Sequence, residues 1–389
     1  MKPIVYAIAF VFSLFAVYSH FIMDNWHLPF VFIAVSFLAL YNFRLSTLSK
    51  VIKNRVFVSL IVFYFFYFFS MTFSFDDFYI DDWSLKKIKI EIISIFILIT
   101  TFILIMGQKS SSILFHYFYS FISITFFLSL ICHFTDFNSI YNKNFYGYHA
   151  FLFLFYFNIK NIKNDKLFYL VSFIILLITL FSFNSRTSTV AILIYLFIYR
   201  FYNYFFSSGI KIFLVSIVYF FIIFFSIYYY TFEAISNETL MELNSSGEKG
   251  VFGRLGIWVE LIQYISDKPW FGYGSNISSE YMYSKVINRN LSAHNTYLDL
   301  LFRIGIIGCL LVVLLFSQII KYFHINKKSD FASSGMALLF SSLFMAAGYE
   351  FMFFTILSVN FFLWCGIAFL INNFELTNTT ITNNINYNL

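Results

Sequence analysis

Residues 298–320 read LDLLFRIGIIGCLLVVLLFSQII, an apolar run with charges only near its beginning. A helix of about 20 apolar residues is long enough to cross the hydrocarbon core of a bilayer. Similar runs recur along the chain, which is 60% hydrophobic and only 11% charged. Soluble domains carry about 25% charged residues. The sequence therefore predicts an all-α integral membrane protein.

The apolar runs predict about twelve transmembrane helices. They cover residues 4–22, 28–42, 56–75, 88–106, 113–133, 145–158, 167–184, 187–206, 210–231, 298–320, 331–349 and 351–372. Helices 1–9 thus occupy residues 1–231, and helices 10–12 occupy residues 298–372. The intervening polar stretch, residues 232–297, is one large loop, and the Asn- and Thr-rich tail at 373–389 is predicted to be disordered.

The placement of Lys and Arg predicts the orientation, because connections on the cytoplasmic side carry an excess of both. With the N-terminus in the cytoplasm, the inner connections hold 14 of the 25 Lys and Arg residues. Six others lie on the outer side, and the remaining five lie in residues 232–297. We therefore expect both termini and the tail in the cytoplasm, and the large loop outside.

Neither a metal site nor nucleic-acid binding is expected from the composition. Cys132, Cys309 and Cys365 all fall inside predicted spans, and their spacing is not that of a metal site. Topology already accounts for most of the formal net charge of +6. No cofactor is predicted.

The large loop and the span after it carry a spaced signature. It consists of Gly253-Arg254-Leu255-Gly256-Ile257-Trp258, Pro269-Trp270-Phe271-Gly272-Tyr273-Gly274, Ala293-His294-Asn295-Thr296-Tyr297-Leu298 and Gly305-Ile306-Ile307-Gly308. Such a charged, glycine-punctuated stretch is unusual in so apolar a chain. The chemistry of the protein is expected here.

Residues 254–267 are predicted to form an amphipathic helix that ends before Pro269. Its apolar stripe consists of Leu255, Trp258, Val259, Ile262 and Ile265. This pattern suits a short interfacial helix lying on the bilayer surface, with Arg254 held near the lipid headgroups. Gly272 and Gly274 then permit a backbone turn that other residues would block.

Three side chains on the predicted outer side can carry chemistry. Arginine suits phosphate because its planar guanidinium offers paired donors and keeps its charge, so Arg186 and Arg254 favour a diphosphate at the interface. Imidazole, with an unperturbed pKa of about 6.5, can accept a proton from an attacking hydroxyl, and His294 is positioned in sequence to do so. Taken singly, each also has an ordinary explanation, as a snorkelling arginine, a surface charge or a hydrogen-bonded interfacial histidine.

Two further candidates lie close to His294. Asn295 follows it directly, and Arg303 lies inside the tenth span, four residues after Asp299. An intrahelical ion pair with Asp299 explains Arg303 without any function, and a contact with substrate is the alternative.

The ordered set resembles the O-antigen polymerase and O-antigen ligase superfamily of bacterial membrane glycosyltransferases. The resemblance is carried by Ser185-Arg186, by Gly253-Arg254 with Trp258, by Pro269-x-x-Gly272-x-Gly274, and by His294-Asn295-x-Tyr297 leading into Gly305-x-x-Gly308. Arg303 stands where the family pattern leads us to expect an acidic or neutral residue.

The resemblance implies an enzyme of the bacterial inner membrane with a catalytic loop on the periplasmic face. Its partners would be an undecaprenyl-diphosphate-linked glycan, membrane lipids and a chain-length regulator protein. Arg186 and Arg254 would bind the diphosphate, and Arg254 and His294 would be catalytic. Asn295 and Arg303 remain additional candidates. An O-antigen polymerase is favoured over a ligase, because the Phe-rich composition is typical of an AT-rich gene and surface-polysaccharide clusters are often AT-rich.

Two other classes are weighed against this one. The acidic cluster at residues 76–82 is compatible with a polyprenyl-phosphate sugar transferase, although a solvated loop explains it better. A polysaccharide flippase would place charges inside several spans to line a pathway. Here the spans are nearly free of charge, which favours surface chemistry.

Overall fold

A computed structural model of the protein describes residues 11, 30, 33–36, 49, 51–71, 82–107, 112–135, 143–162, 164–209, 211, 258, 261–275, 277, 295–327, 329–348 and 360–373. The helices in chain order are α1 (Arg55–Ser70), α2 (Asp82–Met106), α3 (Ser112–Phe134), α4 (Lys143–Lys160), α5 (Asp165–Leu177), α6 (Arg186–Phe205), α7 (Thr296–Ile325), α8 (Asp330–Gly348) and α9 (Asn360–Asn373). A π-helical turn, Ile178–Ser182, extends α5. None of the described residues lies in a strand, so the all-α prediction is confirmed.

Asparagine side chains begin three of these helices. The first amide groups of a helix lack partners within it, and a side-chain oxygen at the preceding residue can accept from them. Asn54 Oδ1 accepts from Val56 N–H at 3.0 Å at the start of α1. Asn164 and Asn295 do the same for α5 and α7.

The helices pack in pairs that join distant parts of the sequence. Helix α8 packs most extensively on α6, α7 packs on α1, and α3 packs on α4. Buried polar side chains tie the interior together: Asn158 of α4 donates to Tyr195 Oη of α6 at 2.8 Å and to Ser334 Oγ of α8 at 3.2 Å. A buried amide would be costly without such partners.

Three described helices are long and apolar enough to cross a membrane, namely Ile113–Phe134, Asp165–Ser182 and Thr296–Ile325. Four shorter apolar helices are Arg55–Ser70, Glu91–Met106, Phe331–Ala347 and Asn360–Asn373. Large apolar side chains on them face outward, such as Phe65 at 74% and Phe181 at 74% exposure. Water disfavours such faces, whereas lipid tails do not.

The total of twelve spans stays a prediction. The predicted spans at 4–22, 28–42 and 210–231 lie almost entirely outside the described residues, as do most of the large loop and the tail.

Candidate active site

Helix α7, which follows His294, is broken one third of the way along its length. Gly305 has φ +61° and ψ −168°, values that no helical residue adopts. The positive φ is readily adopted only by glycine. Around this break, carbonyl and amide groups of α7 are released from their helical partners.

The segment Pro269–Gly274 supplies those partners. Tyr273 N–H donates to Phe302 O at 2.9 Å, and Gly274 N–H donates to Arg303 O at 2.9 Å. In the other direction, Ile306 N–H donates to Pro269 O at 2.8 Å, and Ile307 N–H donates to Trp270 O at 3.1 Å. Four backbone hydrogen bonds therefore join the loop to both sides of the break.

This close approach explains three glycines of the signature, Gly272, Gly274 and Gly305. Gly272 has φ +70° and Gly274 has φ +101°, which confirms the predicted turn. A Cβ atom on Gly272 would stand 2.5 Å from Phe302 O, and one on Gly305 would collide with the backbone of Trp270. The glycines let two backbones touch, so their first role is structural.

A buried ion cluster lies beside the break. Arg303, which is 5% exposed, donates from Nε to Asp299 Oδ2 at 2.7 Å, so the intrahelical pair predicted from the spacing is present. Its Nη1 donates to Ser275 O at 3.1 Å and to Tyr67 Oη at 3.2 Å, and lies 3.7 Å from Glu91 Oε1. Tyr67 in turn donates to Glu91 Oε1 at 2.6 Å.

Ser275, the residue that follows the segment Pro269–Gly274, is hydrogen-bonded to α1. Ser275 N–H donates to Ser70 Oγ at 3.1 Å, and Ser275 Oγ donates to Tyr67 O at 2.6 Å. The loop is thus held between α1 and the broken helix α7.

An apolar cluster covers the other side of the loop. The residues buried in it are Leu261, Tyr273, Ile277, Leu298 and Phe302. Residues 261–267 are helical, as predicted, and the helix ends before Pro269. Trp258, Ile262 and Ile265 of the predicted stripe pack against this cluster. Contacts within the protein therefore account for part of the stripe, and its contact with the bilayer stays a prediction.

Asn295 lies at the start of α7, next to His294. Its Oδ1 accepts from Tyr297 N–H at 3.0 Å and from Leu298 N–H at 3.2 Å, which begins the helix. The side chain is fully buried, and its Nδ2 has no hydrogen-bond partner among the described residues. A buried amide donor of this kind is available to a ligand.

Arg186, another predicted site residue that the structure describes, is the first residue of α6. The π-helical turn before it closes with Phe183 N–H donating to Ile178 O at 3.0 Å, and Asn184 takes a left-handed φ of +48°. π-helical turns inside α-helices occur frequently at functional sites. Arg186 is exposed.

The position of Arg186 depends on Gly147 of α4. A Cβ on Gly147 would stand 2.5 Å from Ser185 Oγ and would also collide with Ser188 Oγ. The Ser185 side chain does not cap α6; its hydroxyl donates to Ser188 Oγ at 3.0 Å. The helix terminus therefore presents its amide groups and the positive end of its dipole beside an arginine, which favours an anion.

Residues 171–313 match the family model described as O-antigen ligase. This match supports the predicted resemblance of these residues to the O-antigen polymerase and ligase superfamily. No curated protein matches the chain. The family and the apolar helices together make this a membrane protein.

The superfamily match covers Arg186, Arg254, His294, the loop and the helix break. Arg254 and His294 lie outside the described residues, so the structure neither joins them to Arg186 and Asn295 nor separates them. Among the described residues, no group of His, Cys, Asp and Glu is arranged to hold a metal ion.

Tyr67, Glu91 and Ser275 were not predicted to belong to the site. Glu91 did carry a signal, because a carboxylate at the edge of an apolar run is costly unless it is paired. Its partner, Arg303, is 212 residues away (303 − 91), which no local pattern reveals.

Proposed function

We propose that this chain is an O-antigen polymerase, a glycosyltransferase that joins undecaprenyl-diphosphate-linked oligosaccharide repeat units at the periplasmic face of the bacterial inner membrane. The observation that carries the proposal is the superfamily match over residues 171–313, a stretch that contains all three candidate reactive side chains. The proposed product is the polysaccharide of lipopolysaccharide O-antigen.

Arg186 and Arg254 bind the diphosphate of the donor. The exposed guanidinium of Arg186 lies at a helix start whose dipole and amide groups also attract anions. Two arginines balance the charge that develops on the leaving group, and fixed donors of this kind lower the barrier because they need no reorganisation.

The reaction is a displacement at the anomeric carbon of the donor sugar. An acceptor hydroxyl attacks this carbon, and its proton passes to His294. The bond between the anomeric carbon and the diphosphate oxygen breaks, and undecaprenyl diphosphate leaves with the electron pair. The buried Nδ2 of Asn295 is available to donate a hydrogen bond to a sugar or phosphate oxygen beside His294.

An O-antigen ligase is the second candidate, because the matching family model is itself described as O-antigen ligase. The two activities use the same donor chemistry and differ in the acceptor. A polymerase transfers the growing chain to the next lipid-linked repeat unit, whereas a ligase transfers the finished chain to lipid A-core.

A polysaccharide flippase is less well supported. In the described helices, the buried charged side chains are Glu91, Asp299 and Arg303, and they form one cluster in the N-terminal third of α7. A translocation pathway needs polar groups along the depth of the membrane.

Deletion of the gene separates these functions. Loss of a polymerase leaves lipid A-core bearing a single repeat unit on a lipopolysaccharide gel. Loss of a ligase leaves bare core while long chains accumulate on the lipid carrier. An unchanged ladder refutes both.

The site is tested with Arg186→Ala, Arg254→Ala and His294→Ala, each expressed in the deletion strain. We expect each to abolish the ladder at normal protein level. Matched controls are Arg200→Ala, at the opposite end of the helix that begins with Arg186, and His324→Ala, at the opposite end of α7. Ladders from the three site variants that equal those of the controls would remove these residues from the mechanism.

A further inference from the structure

The cluster around Arg303 takes part in no step of the proposed reaction, yet its members come from four parts of the protein. Arg303 and Asp299 belong to α7, Tyr67 to α1 and Glu91 to α2, and the carbonyl of Ser275 belongs to the loop. Arginine and both carboxylates are at least 95% buried. Charges are placed in such surroundings at a high desolvation cost, so a cluster of this kind is kept for what it positions.

The contacts of Arg303 go beyond those of an intrahelical ion pair. A pair with Asp299 needs only Nε, and that bond is made at 2.7 Å. Nη1 reaches outward to Tyr67 Oη and Ser275 O at 3.2 and 3.1 Å. A planar guanidinium serves several acceptors at once in a fixed geometry, whereas a lysine ammonium is a single point charge.

The cluster also adjoins the only described stretch where α7 departs from helical geometry. Arg303 O accepts from Gly274 N–H at 2.9 Å, so the backbone of Arg303 holds one end of the loop segment and its side chain holds the next residue, Ser275. Asn295, eight residues earlier, lies about 12 Å along the same helix at 1.5 Å per residue. Movement of α7 relative to the loop segment therefore moves the start of α7, whose capping residue Asn295 follows His294 directly.

We propose that Arg303 is a positioning residue that locks the loop segment 269–277 onto α1 and α7, and thereby fixes the start of α7 beside the reacting groups. The second half of this statement rests on the proposed glycosyltransferase function. The first half, that Arg303 holds the loop segment on α1 and α7, does not depend on that function.

Attachment of the loop segment 269–277 to α1 is measured without an assay of enzymatic activity. Ser70 and Ser275 are hydrogen-bonded neighbours at 3.1 Å, so Ser70→Cys and Ser275→Cys, with Cys132, Cys309 and Cys365 replaced by Ala, report on their contact. The full chain in lipid nanodiscs is treated with copper phenanthroline, and the remaining thiols are labelled with polyethylene-glycol maleimide. Addition of Arg303→Met should slow disulfide formation at least tenfold, whereas Lys321→Met, an exposed charge on the same helix, should leave the rate unchanged. Equal rates for both overturn the proposal.

Arg303→Lys is the second variant for this measurement, for use if Arg303→Met does not fold. It keeps the charge that faces Asp299 and Glu91 but cannot serve Tyr67 and Ser275 together, so we expect a disulfide rate between those of the parent and Arg303→Met. A rate equal to that of the parent would show that charge alone suffices and that the guanidinium does not hold the loop.

The link to catalysis is tested by rescue. In purified protein, Arg303→Met should lower kcat for polymerisation of a lipid-linked repeat unit at least tenfold, with KM for the donor changed by less than twofold. Closing the disulfide between positions 70 and 275 in that variant should restore most of kcat, and reduction should abolish it again. A complete disulfide without recovery would show that Arg303 does not act through the loop.

The two proposals fail in different ways. If the parent protein turns over no lipid-linked glycan, the proposed function is wrong, and the disulfide rates still decide whether Arg303 seats the loop. If turnover is normal and the rates are equal, the proposed function stands and the positioning role is wrong.

Discussion

Gly272→Ala tests how the loop is joined to the broken helix. In the native chain, Gly272 has φ +70° and passes so close to α7 that a Cβ would stand 2.5 Å from Phe302 O and 2.6 Å from Arg303 C. Both atoms belong to backbone and cannot rotate away. The segment has to withdraw, and the hydrogen bonds from Tyr273 and Gly274 to these two residues are lost.

The expected loss of stability is about 3 kcal/mol. The left-handed conformation costs alanine about 1–2 kcal/mol. Two backbone hydrogen bonds contribute about 1 kcal/mol each. The smaller conformational freedom of alanine in the unfolded chain returns about 0.4–1 kcal/mol. Gly209→Ala is the matched control, because a Cβ there meets nothing within 4 Å and its φ is not positive.

Thermal unfolding of the two variants in detergent measures the difference. At about 2 °C per kcal/mol, Gly272→Ala should lower Tm by about 6 °C relative to the parent, and Gly209→Ala should change it little. The lipopolysaccharide ladder should be lost only in Gly272→Ala. Equal Tm values and equal ladders in the two variants would refute the reasoning that the loop is wedged against α7.

Two further predictions concern Gly147, which packs against the start of α6, and Asn295, which caps the start of α7. Gly147→Ala should displace the turn at Ser185, because its Cβ would stand 2.5 Å from Ser185 Oγ. The displaced turn should move Arg186 and so raise KM for the lipid-linked donor. Gly209→Ala is again the control, and an unchanged KM in Gly147→Ala would contradict the packing argument. Asn295→Asp keeps an oxygen that caps α7 but removes the buried Nδ2 donor, so it should lower kcat while the cap is kept. Asn295→Ala should lose both the donor and the cap, and the cap is worth about 1 kcal/mol. Full activity in Asn295→Asp would show that the amide donor has no role.

Several features of the site were predictable because the signals are local. Spacing of four residues pairs Asp299 with Arg303, and the structure contains this pair. Gly272 and Gly274 after Pro269 predicted a turn, and both have positive φ. The break at Gly305 carried no such signal, since glycines inside apolar spans are common and do not by themselves interrupt a helix.

The remainder depended on contacts between distant residues. Tyr67 and Arg303 meet across 236 positions, and Tyr67 and Ser275 across 208. Periodicity showed that residues 254–267 have an apolar face but not what covers it. For Ile262 and Ile265 the covering is the cluster around Tyr273 and Phe302, and not the bilayer alone.

The ion cluster around Arg303 has a consequence for the order in which the protein assembles. Synthesis runs from the N-terminus at about 5–20 residues per second, so Arg303 is made about 10–40 s after Glu91, 212 positions earlier (303 − 91). During this interval Glu91 has no Arg303 with which to pair. Closing of the cluster is therefore a late step of assembly, and a chain that fails to close it keeps the carboxylate of Glu91 without its cation.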